Sequence, residues 1–107
     1  MALNSKFLSM LGLCRRAGAA VIGTDLVTKA LPSGKVRLVM YAENASANTE
    51  KKITDKCAYY GVSCYKTEFT SEELGKAVGK TGAVCALGIT DKNFSNELTN
   101  LNLKEKR

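Results

Sequence analysis

The stretch VRLVMYA at residues 36–42 decides the fold of this sequence. Only Arg37 interrupts its run of apolar side chains. An unbroken apolar run of this length is typical of a central β-strand whose two faces are both covered by helices. The stretch AVCALGI at residues 83–89 has the same character and predicts a second buried strand. Two such strands imply a sheet enclosed between layers of helices.

Shorter strands and amphipathic helices alternate around these two stretches. Residues 19–22 and 62–66 predict two further strands. Helical spacing of apolar residues predicts helices before Gly18, over residues 25–31, up to Gly61, up to Gly79 and after Asp91. This order indicates the α/β class. We expect a three-layer α/β/α sandwich in which helices cover both sides of a four-stranded, mostly parallel or mixed sheet.

Residues that can cap helices predict where each helix begins. The first helix can be capped by Asn4 or Ser5, and the second by Thr24. The remaining candidates are Ser46 or Asn48 for the third helix, a capping box at residues 70–73 for the fourth, and Asp91 for the fifth. The core line of the third helix is predicted to be Ile53, Cys57 and Tyr60.

Length and charge bound the functions that this chain can perform. The 107 residues fit one domain with one core, so we expect a single domain over residues 1–107 with a polar tail at about 102–107 that frays. The formal charge is +6, and nearly all of the excess lies in residues 1–56, with nine basic and four acidic groups. A basic field of this kind suggests a polyanionic partner, most often nucleic acid.

The inventory of reactive side chains argues against an enzyme. The sequence contains no histidine, and its four cysteines form no close pair along the chain, so neither a metal site nor a redox dithiol is indicated and no cofactor is expected. Cys14 beside Arg15 could be an activated thiolate, but its place on an apolar helical stripe favours burial. We expect a reduced, cytoplasmic protein that does not cross a membrane.

The segment GTDLVTKA at residues 23–30 has the features of an anion-binding corner. Glycine permits close approach of the backbone, and the first N–H groups of the helix that follows lack intrahelical partners. Asp25 and Lys29 project from the same face of that helix. They could instead form an ion pair across one turn on a solvated surface, which would explain both residues without a ligand.

A second segment resembles a phosphate-binding loop but has neither the glycine spacing nor the order of elements that such a loop requires. Gly79, Lys80 and Thr81 match the end of a Walker motif, yet Leu74 stands where the first glycine is required. The segment also leaves a helix and enters a strand, which is the reverse of a Walker loop. We interpret it as a helix C-cap followed by a connecting loop, in which Lys80 can contact a ligand.

The sequence resembles a known family over about residues 5–95. The segments GTDLVTKA (23–30), GKVRLV (34–39), AE (42–43) and LGKAVG (74–79) resemble, in the same order, ribosomal proteins of the L7Ae and L30e superfamily. The segment LCRRAG (13–18) is similar to the small bacterial members of the YlxQ type. The resemblance implies an α/β/α sandwich that binds RNA, typically a kink-turn, in which a bulge beside tandem sheared G·A pairs bends a helix sharply.

The resemblance also implies which residues contact RNA. Gly23, Thr24 and Lys29 match the family's corner, and the loop from Lys80 to Ala83, which includes Thr81, matches in position more than in sequence the loop that packs on an extruded nucleotide. Asp25 and Leu26 depart from the family, which has an asparagine and a glutamate there to read guanine edges. A carboxylate cannot donate to guanine N7 or O6, and a leucine can neither donate nor accept.

Two hypotheses follow. The first is an RNA-binding accessory protein of the ribosome or translation machinery, a monomer whose partner is structured RNA. Its candidate RNA-binding residues are Arg15, Arg16, Gly23, Thr24, Asp25, Leu26, Lys29, Lys35, Glu43, Lys80 and Thr81. The second is a protein-interaction module on the same fold that has lost kink-turn recognition and uses the apolar surface around Leu26.

Overall fold

The computed structural model of the protein describes the backbone of residues 2–105 and the side chains of residues 6–101. Helices and strands alternate along the chain. The elements are α1 (Ala2–Arg16), β1 (Ala20–Ile22), α2 (Thr24–Ala30), a 3-10 turn (Leu31–Ser33), β2 (Leu38–Tyr41), α3 (Ala47–Tyr60), β3 (Ser63–Lys66), α4 (Ser71–Ala77), β4 (Ala86–Ile89) and α5 (Lys92–Glu105).

The four strands form one mixed sheet in the order β1-β4-β2-β3. β4 is antiparallel to both β1 and β2, and β2 is parallel to β3. Every residue of β2 and of β4 is buried. The two apolar stretches therefore supply the central strands, as the sequence predicts.

Helices cover both faces of the sheet. Alternate residues of β2 enter two separate hydrophobic clusters. Leu38 packs on one face with Phe7 of α1, Leu74 of α4 and residues of α5, whereas Val39 packs on the other with Val27 of α2 and residues of α3. The three-layer α/β/α sandwich is confirmed, with α1, α4 and α5 in one outer layer and α2 and α3 in the other.

Several predicted caps are present. The Ser46 hydroxyl accepts a hydrogen bond from the Thr49 N–H at 3.1 Å, so Ser46 rather than Asn48 caps α3. In the capping box of α4 the Thr70 hydroxyl accepts from the Glu73 N–H, and the Glu73 carboxylate accepts from the Thr70 N–H at 2.9 Å. Asp91 caps α5 by accepting from the Phe94 N–H at 3.0 Å.

Not every terminal prediction is confirmed. Asn4 and Ser5 are not caps, because α1 already begins at Ala2, and alanine and leucine at its start favour helix. α5 continues to Glu105, so the helix extends into the predicted polar tail, and the fraying of this tail stays a prediction. Residues 106 and 107 lie outside the described residues. Tyr60 is 38% exposed rather than part of the core line of α3.

The fold brings together two cysteines that are separated in sequence. Cys57 of α3 and Cys64 of β3 belong to the same hydrophobic cluster, and the interaction between the two thiols together with burial raises the pKa of Cys64. The sequence gives no sign of this contact, because it depends on how α3 lies over the sheet. Among residues 2–105, no helix combines the length and the apolar character needed to cross a membrane.

Candidate nucleic-acid interface

Gly23 forms a sharp corner between β1 and α2. Its φ and ψ angles are 107° and 147°, a conformation that residues with a side chain rarely adopt. The Gly23 N–H donates to the carbonyl of Ala86 in β4 at 2.9 Å, and its carbonyl accepts from the Val27 N–H at 3.0 Å. The corner therefore joins the start of α2 to the start of β4.

The cap of α2 differs from the prediction by one residue. Gly23, not Thr24, is the N-cap, and it provides no side-chain hydrogen bond to the helix. Thr24 is instead the first residue of α2, because the glycine already supplies the change of backbone direction. Val27 is the first residue whose N–H bonds back to the corner, so the N–H groups of Thr24, Asp25 and Leu26 have no acceptor within the helix.

The side chains of α2 divide into a buried face and an exposed face. Val27 is fully buried beneath the helix. Asp25 and Lys29 are exposed, as expected, and Leu26 is 55% exposed. A leucine with that much exposed surface lies in the middle of the candidate interface, beside the open helix start.

Asp25 has a different ionic partner from the one expected. The alternative in which Asp25 pairs with Lys29 is not observed, because Asp25 Oδ1 instead lies 3.8 Å from Lys52 Nζ of α3. α2 and α3 pack side by side on one face of the sheet, which brings a lysine from the neighbouring helix to the corner. Lys52 is therefore a candidate site residue that the sequence did not indicate, since its run with Lys51 and Lys56 is typical of solvated surface.

Glu43 lies at the same end of the sheet as Gly23. The Ala42 N–H donates to Cys85 O at 2.8 Å, immediately before Ala86, to which Gly23 is bonded. The Glu43 N–H donates to Phe69 O at 2.9 Å, and its side chain is exposed. The structure therefore brings the ends of β1 and β2 and the start of β4 together at one end of the sheet.

The Asn44 side chain links this end of the sheet to α4. The sequence did not indicate this contact. The side-chain oxygen of Asn44 accepts a hydrogen bond from the Ser71 N–H at 2.8 Å. Ser71 is the first residue of α4, so Asn44 satisfies a donor that the capping box leaves free. The turn after β2 is thereby fixed in place.

The loop at residues 80–83 packs against α4 and leads into β4. The Lys80 N–H donates to Gly75 O at 2.8 Å, and the Val84 N–H donates to Ser71 O at 2.9 Å. Gly79 adopts a φ of 75° after the helix. The interpretation as a helix C-cap and connecting loop is confirmed, and the side chains of Lys80 and Thr81 are exposed.

Three other candidate residues lie away from the corner. Arg15 and Arg16 belong to α1, on the opposite face of the sheet from α2. Lys35 precedes the start of β2, where Arg37 bonds to Ile89 at the far end of β4. Ile89 is three residues from Ala86, which corresponds to about 10 Å along the strand. The basic candidates thus occupy several surfaces rather than one.

The environment of Cys14 does not favour a nucleophile. Its side chain is fully buried, and burial, with a smaller effect from the Asp91 carboxylate, raises the pKa of its thiol to about 11. The interpretation of Cys14 as a buried core residue is confirmed. Among the side chains described, no group of three or more histidine, cysteine or acidic residues could hold a metal ion.

The fold and the corner define a small α/β/α sandwich protein with a glycine turn and basic side chains at one sheet end. The model of the ribosomal protein L7Ae/L30e/S12e/Gadd45 family matches residues 5–99, and the chain belongs to this family.

Curated relatives cover nearly the whole chain. The RNA-binding protein YlxQ of Bacillus subtilis (strain 168) is 44% identical, over 86% of this chain and 90% of the relative. The RNA-binding protein YlxQ of Enterococcus faecium is 34% identical, over 92% of each. The large ribosomal subunit protein eL30 of Spodoptera frugiperda is 32% identical, over 87% of this chain and 82% of the relative.

Solved structures show the same fold. A protein with unknown function from Bacillus halodurans C superposes with a TM-score of 0.83 and 36% identity, over 90% of this chain and 95% of that one. The Giardia lamblia 15.5kD RNA binding protein superposes with a TM-score of 0.75 over 99% of this chain and 89% of that one. At 19% identity the second likeness supports the fold alone.

Proposed function

We propose that this protein binds structured RNA through the Gly23 corner, as a monomeric, single-domain accessory factor of the ribosome or translation machinery in the cytoplasm. Its membership of a ribosomal-protein family supports this function. Two relatives that align with most of the chain are named RNA-binding proteins, and a third is a protein of the large ribosomal subunit. The single observation that carries the proposal is the glycine corner between β1 and α2, where Gly23 has a φ of 107° and the first N–H groups of α2 have no acceptor within the helix.

The corner supplies two kinds of contact to RNA. The backbone at Gly23 and Thr24 approaches the phosphate chain closely, and Lys29 and Lys52 neutralise phosphate charge. The loop that carries Lys80 and Thr81 packs on an extruded nucleotide. Such contacts recognise the shape of a bent RNA rather than a base sequence, which is the usual mode for structured RNA.

The preferred RNA is a bent or kink-turn element whose selectivity is relaxed or altered relative to the family. Asp25 is exposed where the family places an asparagine, and Leu26 stands in place of a glutamate. Neither side chain can make the family's guanine contacts, and each lost contact costs about 1–3 kcal/mol of discrimination. Recognition therefore rests on the backbone and on the lysines.

The function is tested by measuring RNA affinity at several salt concentrations, with a kink-turn hairpin, a bulged hairpin and an unbent duplex as probes. We expect Lys29→Ala to weaken binding to the bent RNAs several-fold and to reduce the salt slope by about 1. Lys66→Ala, which removes an exposed lysine from β3, is the matched control and should change affinity less. Absent or salt-independent binding of all three RNAs by the unaltered protein would refute the proposal.

The exposure of Leu26 favours a second function. A leucine 55% exposed at the corner provides an apolar contact of the kind that protein interfaces use, and the fold alone does not assign a function. A pull-down with and without ribonuclease separates the two. Partners that are lost on digestion support RNA binding, and partners that survive digestion and are lost in Leu26→Ser support a protein-interaction module.

A further inference from the structure

α1 and α4 enclose a basic groove on the face of the sheet opposite to the Gly23 corner. The groove has a volume of about 330 Å³ and is lined by residues that include Gly12, Arg15, Arg16, Lys76 and Gly79. A Cβ atom at Gly12 would lie 2.9 Å from Ala77 O, so only glycine allows the two helices to approach this closely. The close crossing places the last turn of α1 beside the last turn of α4.

The cations of this groove lack partners among the described residues. The ion pairs found between side chains of residues 6–101 are Lys51 with Asp55 and Lys52 with Asp25. The acidic side chains of α4 are engaged elsewhere, because Glu72 accepts from Asn44 and Ser71, and Glu73 accepts from Thr70. Three exposed positive charges thus line the groove, and none of them forms an ion pair within 4 Å with a described carboxylate.

The arginines do not serve as caps of α1. The carbonyls of Leu13, Cys14 and Arg15 accept hydrogen bonds from the N–H groups of residues 17, 19 and 18, at 2.8–3.1 Å. These bonds complete the end of the helix without a side chain. A role for Arg15 and Arg16 in binding the last carbonyls of their own helix is therefore not needed.

The end of α4 is complete as well. The carbonyls of Leu74, Gly75 and Lys76 accept from the N–H groups of residues 78, 80 and 79, at 2.8–3.2 Å. Within the described part of the chain, no hydrogen bond involves a side-chain donor of Arg15, Arg16 or Lys76. The guanidinium and ammonium groups are thus available to an external anion.

We propose that this groove binds the phosphate backbone of a second segment of the RNA whose bend is held at the Gly23 corner; this inference rests on the proposed function. Arginine presents a planar fork of donors that matches phosphate oxygens. β1 forms one edge of the sheet and links α1 directly to α2; its first residue, Ala20, pairs with Ile89, so α1 ends at the opposite end of this three-residue strand from Gly23, about 10 Å away. A bent RNA reaches both surfaces when one of its arms passes β1.

The contact is to phosphates and carries no base specificity. Its effect must therefore depend on the length of an RNA arm and on salt, not on the sequence of that arm. This dependence separates the groove from the corner, which contacts the bend itself.

The test uses one kink-turn hairpin with short stems and two versions in which either stem is lengthened. Arg15→Gln with Arg16→Gln is compared with Lys56→Gln with Lys66→Gln, which removes the same charge from α3 and β3. For one of the long RNAs we expect the arginine variant to lose about tenfold in affinity and about 2 in salt slope, with little change for the short RNA. Lys76→Gln should lose about 1 in salt slope on the same RNA.

The outcomes distinguish this inference from the proposed function. Equal losses on short and long RNAs, or losses no greater than in the lysine control, would overturn the groove while leaving the corner intact. Failure of the unaltered protein to bind any of the three RNAs would overturn both. Circular dichroism establishes that each variant is folded. If the double arginine variant is not folded, the salt slope of Lys76→Gln on the long RNA tests the groove instead.

Discussion

Lys52 Nζ of α3 lies 3.8 Å from Asp25 Oδ1 of α2. This contact places a cation beside the exposed carboxylate at the start of α2. Both side chains are more than half exposed, so the ion pair contributes little to stability. If the corner binds RNA as proposed, Lys52 offsets the repulsion between Asp25 and an approaching phosphate.

Lys52→Ala should weaken RNA binding at least as much as Lys29→Ala, because it removes one cation and also leaves Asp25 uncompensated. The free energy of unfolding should change by less than about 1 kcal/mol. Affinity for a bent RNA and urea unfolding measure the two effects. Adding Asp25→Ala to Lys52→Ala should recover part of the lost affinity; wild-type affinity in the single variant would contradict this role of Lys52.

Asp25→Asn combined with Leu26→Glu should raise affinity for a standard kink-turn over an unbent duplex. An asparagine can donate to guanine, and a glutamate can accept from a guanine amino group, so both base contacts become possible. Each contact is worth about 1–3 kcal/mol of discrimination. Fluorescence polarisation with the two RNAs measures the ratio.

Asp25→Asn alone provides the control for this variant, since it removes the repulsive charge and restores one contact only. We expect an intermediate gain. If neither variant improves the ratio, the chain no longer uses the family's mode of base reading, and the corner binds RNA through its backbone and lysines alone.

Much of the fold could be predicted because its signals are local. The apolar run at residues 36–42 contains β2, and the capping box at Thr70 begins α4 where expected. These features depend on neighbouring residues in the chain, so spacing is sufficient to recognise them. The same reasoning missed the cap of α2 by one residue, because both Gly23 and Thr24 are suitable caps by type.

The arrangement of the candidate site could not be read from the sequence, since it depends on packing between layers. Lys52 reaches Asp25 only because α3 lies beside α2 on the sheet. Arg15 and Arg16 lie on the other face because α1 packs against α4, with Gly12 at the crossing. The positive charges that the sequence shows are therefore spread over several surfaces of the folded protein. Net charge alone does not reveal this distribution.

The stability of the protein should fall as pH rises from about 9 to about 11. Burial raises the pKa of Cys14 to about 11 from its ordinary value of 9.0. In this window the unfolded chain loses a proton that the folded protein retains, so the free energy of unfolding decreases with pH, by at most about 3 kcal/mol for Cys14. Burial and a hydrogen bond to Glu50 raise the pKa of Tyr41 to about 12, which acts in the same direction.

Urea unfolding across this pH range measures the effect. In Cys14→Ala the decline with pH should be smaller than in the unaltered protein, although the stability at neutral pH is also lower because a buried side chain is shortened. Cys85→Ala, at a half-buried position, is the control and should retain the steeper decline. An identical pH dependence in all three proteins would show that Cys14 does not contribute.

Gly75→Ala should disturb the loop at residues 80–83. A Cβ atom at Gly75 would clash with Gly82 O, a backbone atom that cannot move without shifting the loop. We expect a loss of about 1–3 kcal/mol in the free energy of unfolding, despite the higher helix propensity of alanine. Urea denaturation measures this loss, and RNA affinity measured where the variant is fully folded reports on the loop's contact.

Gly82→Ala is the matched control, because a Cβ atom there meets no atom within 4 Å. This variant adds the same methyl group at Gly82, the residue that faces Gly75, and should leave the free energy of unfolding nearly unchanged. If the loop packs on an extruded nucleotide, Gly75→Ala should bind kink-turn RNA less tightly than Gly82→Ala does. Equal RNA affinity in the two variants, together with the expected loss of stability in the first, would remove Lys80 and Thr81 from the interface and leave the α2 corner as its centre.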